Sequence, residues 1–324
     1  MRTLGIESTA HTFGCGIVDE TCRVLANEKA SYTTAEGGIH PRAAADFLFE
    51  HAPGVVRGAL AKAHVVPNDI DCIAFSRGPG LGPCLEVGAI AARHLALEWH
   101  KPLIGVNHPV AHIEIAKKRA GAKDPIIVYS SGANTQVIGL EKGVYRVYGE
   151  TLDTGIGNAF DNFGRALGLG FPAGPVLDQR YFEKQDYVEL PYSVKGMDLA
   201  FSGLLTAAQK KIGKGDDPAL AFSFMHTALA MLTEVAERAL AHTNKKELVV
   251  TGGVAASRAF REMLEKMCAG RGAKLLVPPA EYCTDNGAMI GWTGLLMHRK
   301  KIHLSIARSR THPFWRVDDV AITW

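Results

Sequence analysis

Two stretches of the chain share one layout: residues 3–19, TLGIESTAHTFGCGIVD, and residues 126–140, IIVYSSGANTQVIGL. In each, a short apolar strand leads through a turn of small polar residues into a second apolar strand, the pattern of a β-hairpin. A third strand follows each hairpin, RVLANEKA from residue 23 and VYRVYGET from residue 144, and helix–strand units come next. Self-similarity of this kind indicates an internal duplication. We therefore predict two copies of a β-β-β-α-β-α-β arrangement.

Two such copies predict an α/β protein with two lobes and a cleft between them, each sheet covered by its connecting helices. We place the lobes at 1–125 and 126–324, with an insertion near 171–215, and allow for the extreme C-terminus returning to the first lobe. The predicted strands begin near 71, 102, 247 and 274. The predicted helices lie near 41–63, 84–99, 108–117, 157–168, 218–243, 256–270 and 286–298.

The composition is typical of a soluble globular protein. Of the 324 residues, 47% are hydrophobic and 21% are charged, and there is no uninterrupted apolar run of about eighteen residues that would span a membrane. Six cysteines without a CxxC pair indicate buried thiols in a reducing compartment. We therefore predict a cytoplasmic protein without a membrane partner.

The net charge of +3 is weak evidence for a nucleic-acid partner. Local basic runs are more typical of solvated helix ends than of an RNA surface. They comprise Lys117, Lys118, Arg119 and Lys123; Lys210, Lys211 and Lys214; and Arg299, Lys300, Arg308 and Arg310.

The segment VNHPVAHIEIAK, residues 106–117, places His108 and His112 four positions apart at a predicted helix start, with Pro109 at a favourable first position. Both imidazoles then lie on one helix face, as a metal clamp or as ordinary surface histidines. Asp285 stands at another predicted helix start, where Asp is a favoured N-cap. It would complete a site for zinc, iron or a magnesium-like ion only if the fold brought it to the two histidines.

Glycine-rich turns suggest phosphate binding, because their amides can point outward. Candidate turns hold Ser8 and Thr9 in the first copy, and Ser130, Ser131, Gly132 and Asn134 in the second. VVTGGVAAS at 249–257 and SRGPGLGP at 76–83 each lead into a helix, whose positive end favours anions. Together they predict a nucleotide cleft, near which lie the carboxylates Glu7, Asp153 and Asp161.

Ten ordered motifs resemble one family along essentially the whole chain. They are IESTAHTFGCGIVD, GGIHP, GPGLGP, VNHPVAHIE, YSSGANTQV, GETLDTGIGNAFDNF, GLGFPAGP, KGMDLAFSGLLT, TGGVAAS and CTDNGAMI. Their order is that of the tRNA N6-adenosine threonylcarbamoyltransferases, above all the archaeal and eukaryotic type that is the catalytic subunit of the KEOPS complex. The resemblance implies the duplicated fold of actin, sugar kinases and chaperone ATPases, with a central nucleotide and metal cleft.

The resemblance also implies site residues. The metal ligands would be His108, His112 and Asp285, with Tyr129 as a ligand or contact. The nucleotide or acyl-adenylate contacts would be Tyr129, Ser130, Ser131, Gly132, Ala133, Asp161, Gly174, Asp178 and Ser257. The chain departs from the family's usual residues at Ala133 and Ala173 (Gly), Asp178 (Glu), Ser257 (Asn), and Ala43 and Leu48 after GGIHP.

The activity implied is transfer of a threonylcarbamoyl group from threonylcarbamoyl-adenylate to N6 of the adenosine beside the anticodon, in tRNAs that read ANN codons. Expected cofactors are one ion per subunit, iron or else zinc, with ATP or the acyl-adenylate in the cleft. Expected partners are tRNA, a kinase-like ATPase and a small dimerising subunit. A small-molecule kinase of the same fold, a metalloprotease and a scaffold are the alternatives. The protease lacks the Glu of HExxH, since Pro109 stands there.

Overall fold

The computed structural model describes residues 1–33, 39–183 and 186–324. The first two residues of GGIHP, and two residues of the predicted insertion, lie outside this range. The described chain forms two compact units. Unit 1 comprises Met1–Lys118 and Thr284–Trp324, and unit 2 comprises Arg119–Cys283.

Unit 1 contains a five-stranded sheet in the order β3-β2-β1-β4-β5. The first three strands are antiparallel, and β4 and β5 continue parallel to β1. Their bounds are β1 (Arg2–Glu7), β2 (Thr12–Asp19), β3 (Val24–Ser31), β4 (Cys72–Gly78) and β5 (Leu103–Asn107).

Unit 2 repeats this topology, with the strand order β12-β11-β6-β7-β8. The bounds are β6 (Ile126–Ser130), β7 (Thr135–Glu141), β8 (Val144–Glu150), β11 (Glu247–Thr251) and β12 (Lys274–Leu276). In both sheets the hairpin's first strand is central, between its hairpin partner and a parallel strand. The predicted duplication is therefore confirmed.

Helices follow the strands close to the predicted positions. They are α1 (Pro41–Ala63), α2 (Gly82–Glu98), α3 (His108–Ala120), α4 (Ile156–Ala166), α5 (Gly174–Tyr181), α6 (Ser202–Gln209), α7 (Asp217–Thr243), α8 (Arg258–Arg271) and α9 (Gly287–Arg299). The sequence did not predict α5, α6 or the two-residue strands β9 (Val194–Lys195) and β10 (Asp198–Leu199). These elements are too short to produce a clear hydrophobic period.

Helix α7 is the core helix of unit 2, and most of its residues are buried. Among the described residues it is the one helix long and apolar enough by composition to cross a membrane. Its most apolar window is 83% buried inside the protein. That burial is what a core helix requires.

Helix α9 belongs to unit 1 because glycines let it lie against the central strands. A Cβ on Gly5 of β1 would come within 2.1 Å of the Gly291 amide nitrogen, and one on Gly16 of β2 within 2.2 Å of that of Ala288. Side chains at these positions would push the helix off the sheet. This contact brings residues 284–324 back to the first sheet.

Candidate metal centre and nucleotide cavity

The two histidines stand at the start of α3, directly after β5. Asn107, the last residue of β5, accepts a hydrogen bond on Oδ1 from the Val110 amide at 3.1 Å and so caps the helix. The rings of His108 and His112 then lie 4.7 Å apart, edge to face. They are 6% and 1% exposed, so the interpretation as ordinary surface histidines is wrong.

Asp285 joins these histidines, although it does not cap α9. The N-cap is Asn286, whose Oδ1 accepts from the Met289 amide at 2.9 Å, because the helix begins one residue later than predicted. The prediction of Asp285 as a cap is therefore wrong. Its Oδ1 lies 3.1 Å from His112 Nε2 and 3.5 Å from His108 Nε2.

The three side chains fit a metal ion. One donor atom from each lies within 4.8 Å of the other two. Donors about 2.0–2.2 Å from an ion in tetrahedral or octahedral geometry are about 3–3.5 Å apart, which matches the two distances to Asp285. Two imidazoles and one carboxylate are the donors of non-haem iron sites and are also usual for zinc. The group can therefore hold an ion.

Glu7, at the end of β1, supports the group from behind. It is fully buried, and its Oε2 lies 2.9 Å from His108 Nδ1. Its Oε1 accepts from the amide and the hydroxyl of Thr9. A carboxylate that holds Nδ1–H leaves Nε2 directed at Asp285, the arrangement usual behind metal-bound histidines. The sequence signal for this role was a lone acidic residue ending an otherwise apolar strand.

Electrostatics distinguish the two rings. Burial lowers the pKa of His108, but the charge and hydrogen bond of Glu7 outweigh it and raise the pKa to about 9. Burial lowers the pKa of His112 despite its contact with Asp285. Burial would raise the pKa of Asp285, yet the hydrogen bond from His112 and the His108 charge hold it well below the ordinary value. Asp285 is therefore an ionised ligand at neutral pH.

The turn after β1 does not offer its amides to a phosphate as predicted. The Ser8 amide donates to Ser76 Oγ at 2.9 Å, and the Thr9 amide donates to Glu7 at 2.8 Å. The glycines of the 76–83 loop serve close packing instead, since a Cβ on Gly80 would lie 2.5 Å from the Thr9 carbonyl oxygen. These turns build the support of the histidine group.

Unit 2 contains a cavity of about 370 Å³. Five predicted nucleotide contacts line it: Gly132, Asp161, Gly174, Asp178 and Ser257. The predicted loop at 249–257 supplies three more lining residues, Gly253, Val254 and Ala256. Sequence reasoning missed the others, which are Gly157, Phe160, Pro172, Pro175 and Met225. All of these are apolar or glycine and carry no chemical signal of their own. Only their closeness in sequence to the predicted motifs could have identified them.

The other predicted contacts do not line this cavity. Tyr129 and Ser130 are buried in β6 of unit 2, while Ser131 and Ala133 stand in the turn that follows. This turn is closed by the Ser131 amide, which donates to the Asn134 carbonyl at 2.7 Å. Within the described residues the amides of Gly132 and Ala133 have no recorded partner. They remain open to an anion.

The two carboxylates beside the TGIGNAF segment have different roles. Asp153 accepts from the amides of Phe201 and Ser202, so it holds the start of α6. Asp161 accepts from the Ala173 amide at 2.8 Å on the cavity wall, and burial raises its pKa.

The start of α8 is already occupied by Asp178. Its carboxylate accepts from the Ser257 hydroxyl at 2.6 Å and from the amides of Arg258 and Ala259 at 2.9 and 3.1 Å. Ser257 Oγ in turn accepts from the Phe260 amide as the helix cap. The expected phosphate site at this helix end is thus filled by the protein's own anion.

Comparison with known proteins places these features in one family. A family model described as tRNA N6-adenosine threonylcarbamoyltransferase matches residues 23–292. The enzyme of that name from Thermococcus kodakarensis is 53% identical over the whole of both chains. A Methanosarcina mazei protein, named as a probable bifunctional tRNA threonylcarbamoyladenosine biosynthesis protein, is 51% identical over 99% of this chain and 59% of its own length.

The fold has a more distant relative among solved structures. A ROK family glucokinase from Streptomyces griseus superposes with a TM-score of 0.51 at 12% identity, over 91% of this chain and 99% of its own. This agrees with the predicted sugar-kinase type of fold. The comparisons do not favour the kinase or protease activities that we considered as alternatives. The chain belongs to the tRNA N6-adenosine threonylcarbamoyltransferase family, which transfers a threonylcarbamoyl group to N6 of adenosine in tRNA.

Proposed function

We propose that this chain uses threonylcarbamoyl-adenylate as donor and modifies the adenosine beside the anticodon in tRNAs that read ANN codons. The lone pair of N6 attacks the carbonyl carbon of the threonylcarbamoyl group, the bond from that carbon to the phosphate oxygen breaks, AMP leaves, and N6 loses a proton. The observation that carries the proposal is the group of two buried histidines, His108 and His112, with the partly buried Asp285, and with Glu7 behind them. A sugar kinase needs no such group for its phosphoryl transfer.

His108, His112 and Asp285 of unit 1 would hold one ion. Two histidines and a carboxylate are the usual protein ligands of iron(II), which we propose as the native ion, with zinc as the alternative. A bound ion supplies Lewis-acid stabilisation of charge on the acyl-adenylate oxygens. The ionisation of Asp285 suits this role, because a metal ion needs a deprotonated carboxylate as its ligand.

We assign the nucleotide of ATP or of the acyl-adenylate to the cavity in unit 2. The open amides of Gly132 and Ala133 suit phosphate oxygens. The carboxylate of Asp178 suits ribose hydroxyls, which donate to an acceptor. The apolar lining residues Phe160, Pro175 and Met225 suit an adenine ring. Asp161, Gly174 and Ser257, which line the cavity, complete the proposed contacts.

Nucleoside mass spectrometry tests the transfer. The protein, with its partner subunits and a supply of threonylcarbamoyl-adenylate, should convert the adenosine beside the anticodon in an ANN-reading tRNA. Asp285→Ala should abolish the product, while Asp46→Asn, on the exposed face of α1, should not. Modification at another nucleoside, or full activity of Asp285→Ala, would contradict the proposal.

We further propose two protein partners, a kinase-like ATPase and a small dimerising subunit, in the cytoplasm. A bifunctional name and an extra length of chain in the Methanosarcina relative support a partner activity that works together with this one. For the dimerising subunit we propose the face formed by Phe49 of α1 and Ile90 and Leu97 of α2. These side chains are 65%, 52% and 58% exposed on helices that pack together. Co-purification with the subunit should be lost in Phe49→Asp.

A further inference from the structure

The positive charge of the chain is concentrated near its C-terminus. Between Arg299 and Arg316 there are six Lys and Arg residues and no Asp or Glu, whereas the whole chain carries a net charge of +3. The rest of the chain is therefore net negative. This segment includes the basic run that sequence analysis treated as a solvated helix end.

Residues 304–316, called the strap here, lie in unit 1 against the 76–80 loop. The Leu304 amide donates to the Leu103 carbonyl at 2.8 Å, and the His312 amide to the Arg77 carbonyl at 2.7 Å. The Arg93 guanidinium donates to the hydroxyl and carbonyl of Ser309. The strap is therefore fixed along its length.

Phe314 is 91% exposed, the most exposed large hydrophobic side chain among the described residues. Its backbone is held on both sides. The Pro313 carbonyl accepts from the Gly80 amide at 3.2 Å, and the Trp315 amide donates to the His312 carbonyl at 3.0 Å. An aromatic ring presented to solvent on a fixed backbone contributes almost no packing to the fold.

The strap is hydrogen-bonded to residues that support the candidate metal ligands. Asn107 Nδ2 donates to the carbonyls of Trp315 and Arg316 at 3.2 and 3.3 Å, while Oδ1 of the same side chain caps α3 next to His108. Gly80, bonded to Pro313, packs on Thr9, which donates to Glu7. One buried asparagine therefore joins the neighbours of Phe314 to the helix that carries the histidines.

Arg308 and Arg310 are exposed, and within the described part of the chain no ion pair of either side chain is recorded. Arg316, by contrast, pairs with Asp318. Exposed guanidinium groups and an exposed ring on one fixed segment match single-stranded RNA, whose unpaired bases stack on aromatic side chains while Arg binds the backbone.

We propose that the strap is an RNA-contact surface: Phe314 stacks on an unpaired base of the tRNA, and Arg308 and Arg310 bind backbone phosphates. The proposal rests on the proposed function, since it assumes a tRNA substrate. Stacking on Phe314 would hold the anticodon loop beside the histidine helix, and positioning of this kind matters for an acceptor as weakly basic as an exocyclic amine.

Equilibrium binding of substrate tRNA to the metal-loaded full-length chain at low salt tests the ring. Phe314→Ala should weaken binding by about 5- to 100-fold, the loss expected for one stacked base. Phe314→Trp should bind as the parent, whereas Phe314→Leu should be weak although it keeps an apolar side chain. Tyr192→Ala, which removes an exposed ring of unit 2, is the matched control and should bind normally.

Salt dependence tests the guanidinium groups. Arg308→Gln and Arg310→Gln should each lower the slope of log affinity against log salt by about 0.7, and Arg57→Gln on α1 should leave it unchanged. Phe314→Ala binding within twofold of the parent, or an equal loss in Tyr192→Ala, would overturn the proposal.

The transfer assay separates this proposal from the proposed function. If the parent modifies tRNA and Phe314→Ala binds and modifies it equally well, the strap proposal is wrong and the function stands. If Phe314→Ala loses binding although the parent modifies no tRNA, the strap proposal stands and the proposed function is wrong.

Discussion

The hairpin turns of the two units occupy the same place in the same topology, yet their hydrogen bonding is opposite. In unit 1 the strand ends in Glu7, which draws the Thr9 amide and hydroxyl inward and holds His108. In unit 2 the corresponding strand ends in Ser130, and the amides of Gly132 and Ala133 stay open. The carboxylate of Glu7 and the Thr9 hydroxyl that it binds thus distinguish the turn that supports the histidine group from the turn of unit 2, which can receive an anion.

The largest effect is expected in unit 1, from the removal of one of the three candidate metal ligands. His112→Ala removes one of three donors, and we expect the ion and the transfer activity to be lost, with metal affinity down by more than about 100-fold. Elemental analysis and a competition titration with a chelator measure it. Asp46→Asn is the control, and a full metal content in His112→Ala would refute the assignment.

Protons should compete with the ion for His108, and across two pH units the change in metal affinity should approach that caused by removing a ligand. An ion must displace a proton from His108, whose pKa is raised to about 9, so affinity should rise about tenfold per pH unit up to that value. In the metal-free protein the same group stabilises the fold fully below its unfolded pKa of about 6.5, and this contribution is lost as the pH rises through 9. Calorimetric titration in buffers of different ionisation enthalpy counts the released proton, and no proton release near neutral pH would contradict the prediction.

Substitutions of Glu7 test whether metal binding depends on the carboxylate behind His108. Glu7→Gln keeps a side chain of the same shape without the charge, and we expect metal affinity to fall about 10- to 100-fold. The rise of affinity with pH should also end at a lower pH, because His108 loses the anion that raises its pKa. Glu7→Ser, which copies unit 2, should lose at least as much. Unchanged affinity in both variants would show that Nδ1 needs no partner.

The smallest effect should come from the unit 2 turn and its cavity. Ala133→Gly removes a methyl group beside the open amides, and Ser257→Asn keeps a helix-capping side chain with longer reach. The double variant should bind nucleotide about two- to tenfold more tightly, with unchanged metal content. Calorimetry decides. Equal or weaker binding would mean that the Ser257 contact with Asp178 already fits this site.

The long helices and the β-hairpins could be predicted because burial of one face imposes a hydrophobic period on the sequence. Both β-hairpins and the long helices α1 and α7 lie where the alternation and the caps predicted them. The short helices α5 and α6 were missed, since eight residues carry too few turns to show a pattern. Among candidate site residues, the pair His108 and His112 was visible from helical spacing alone.

The sequence by itself determined the duplicated α/β topology, the shared helix face of the two histidines and, through its ordered motifs, the family. These follow from local periodicity and from spacing along the chain. The family resemblance implied that Asp285 joins the two histidines, and the tertiary structure supplies the contact. Only the tertiary structure decided that Glu7 holds His108 and that the whole of 284–324 returns to unit 1. The contacts of Asp285 and of residues 284–324 depend on how α9 packs through Gly287 and Gly291 onto the first sheet. The Glu7 contact depends on the end of β1 meeting the start of α3. Close packing between distant segments leaves no period in the sequence.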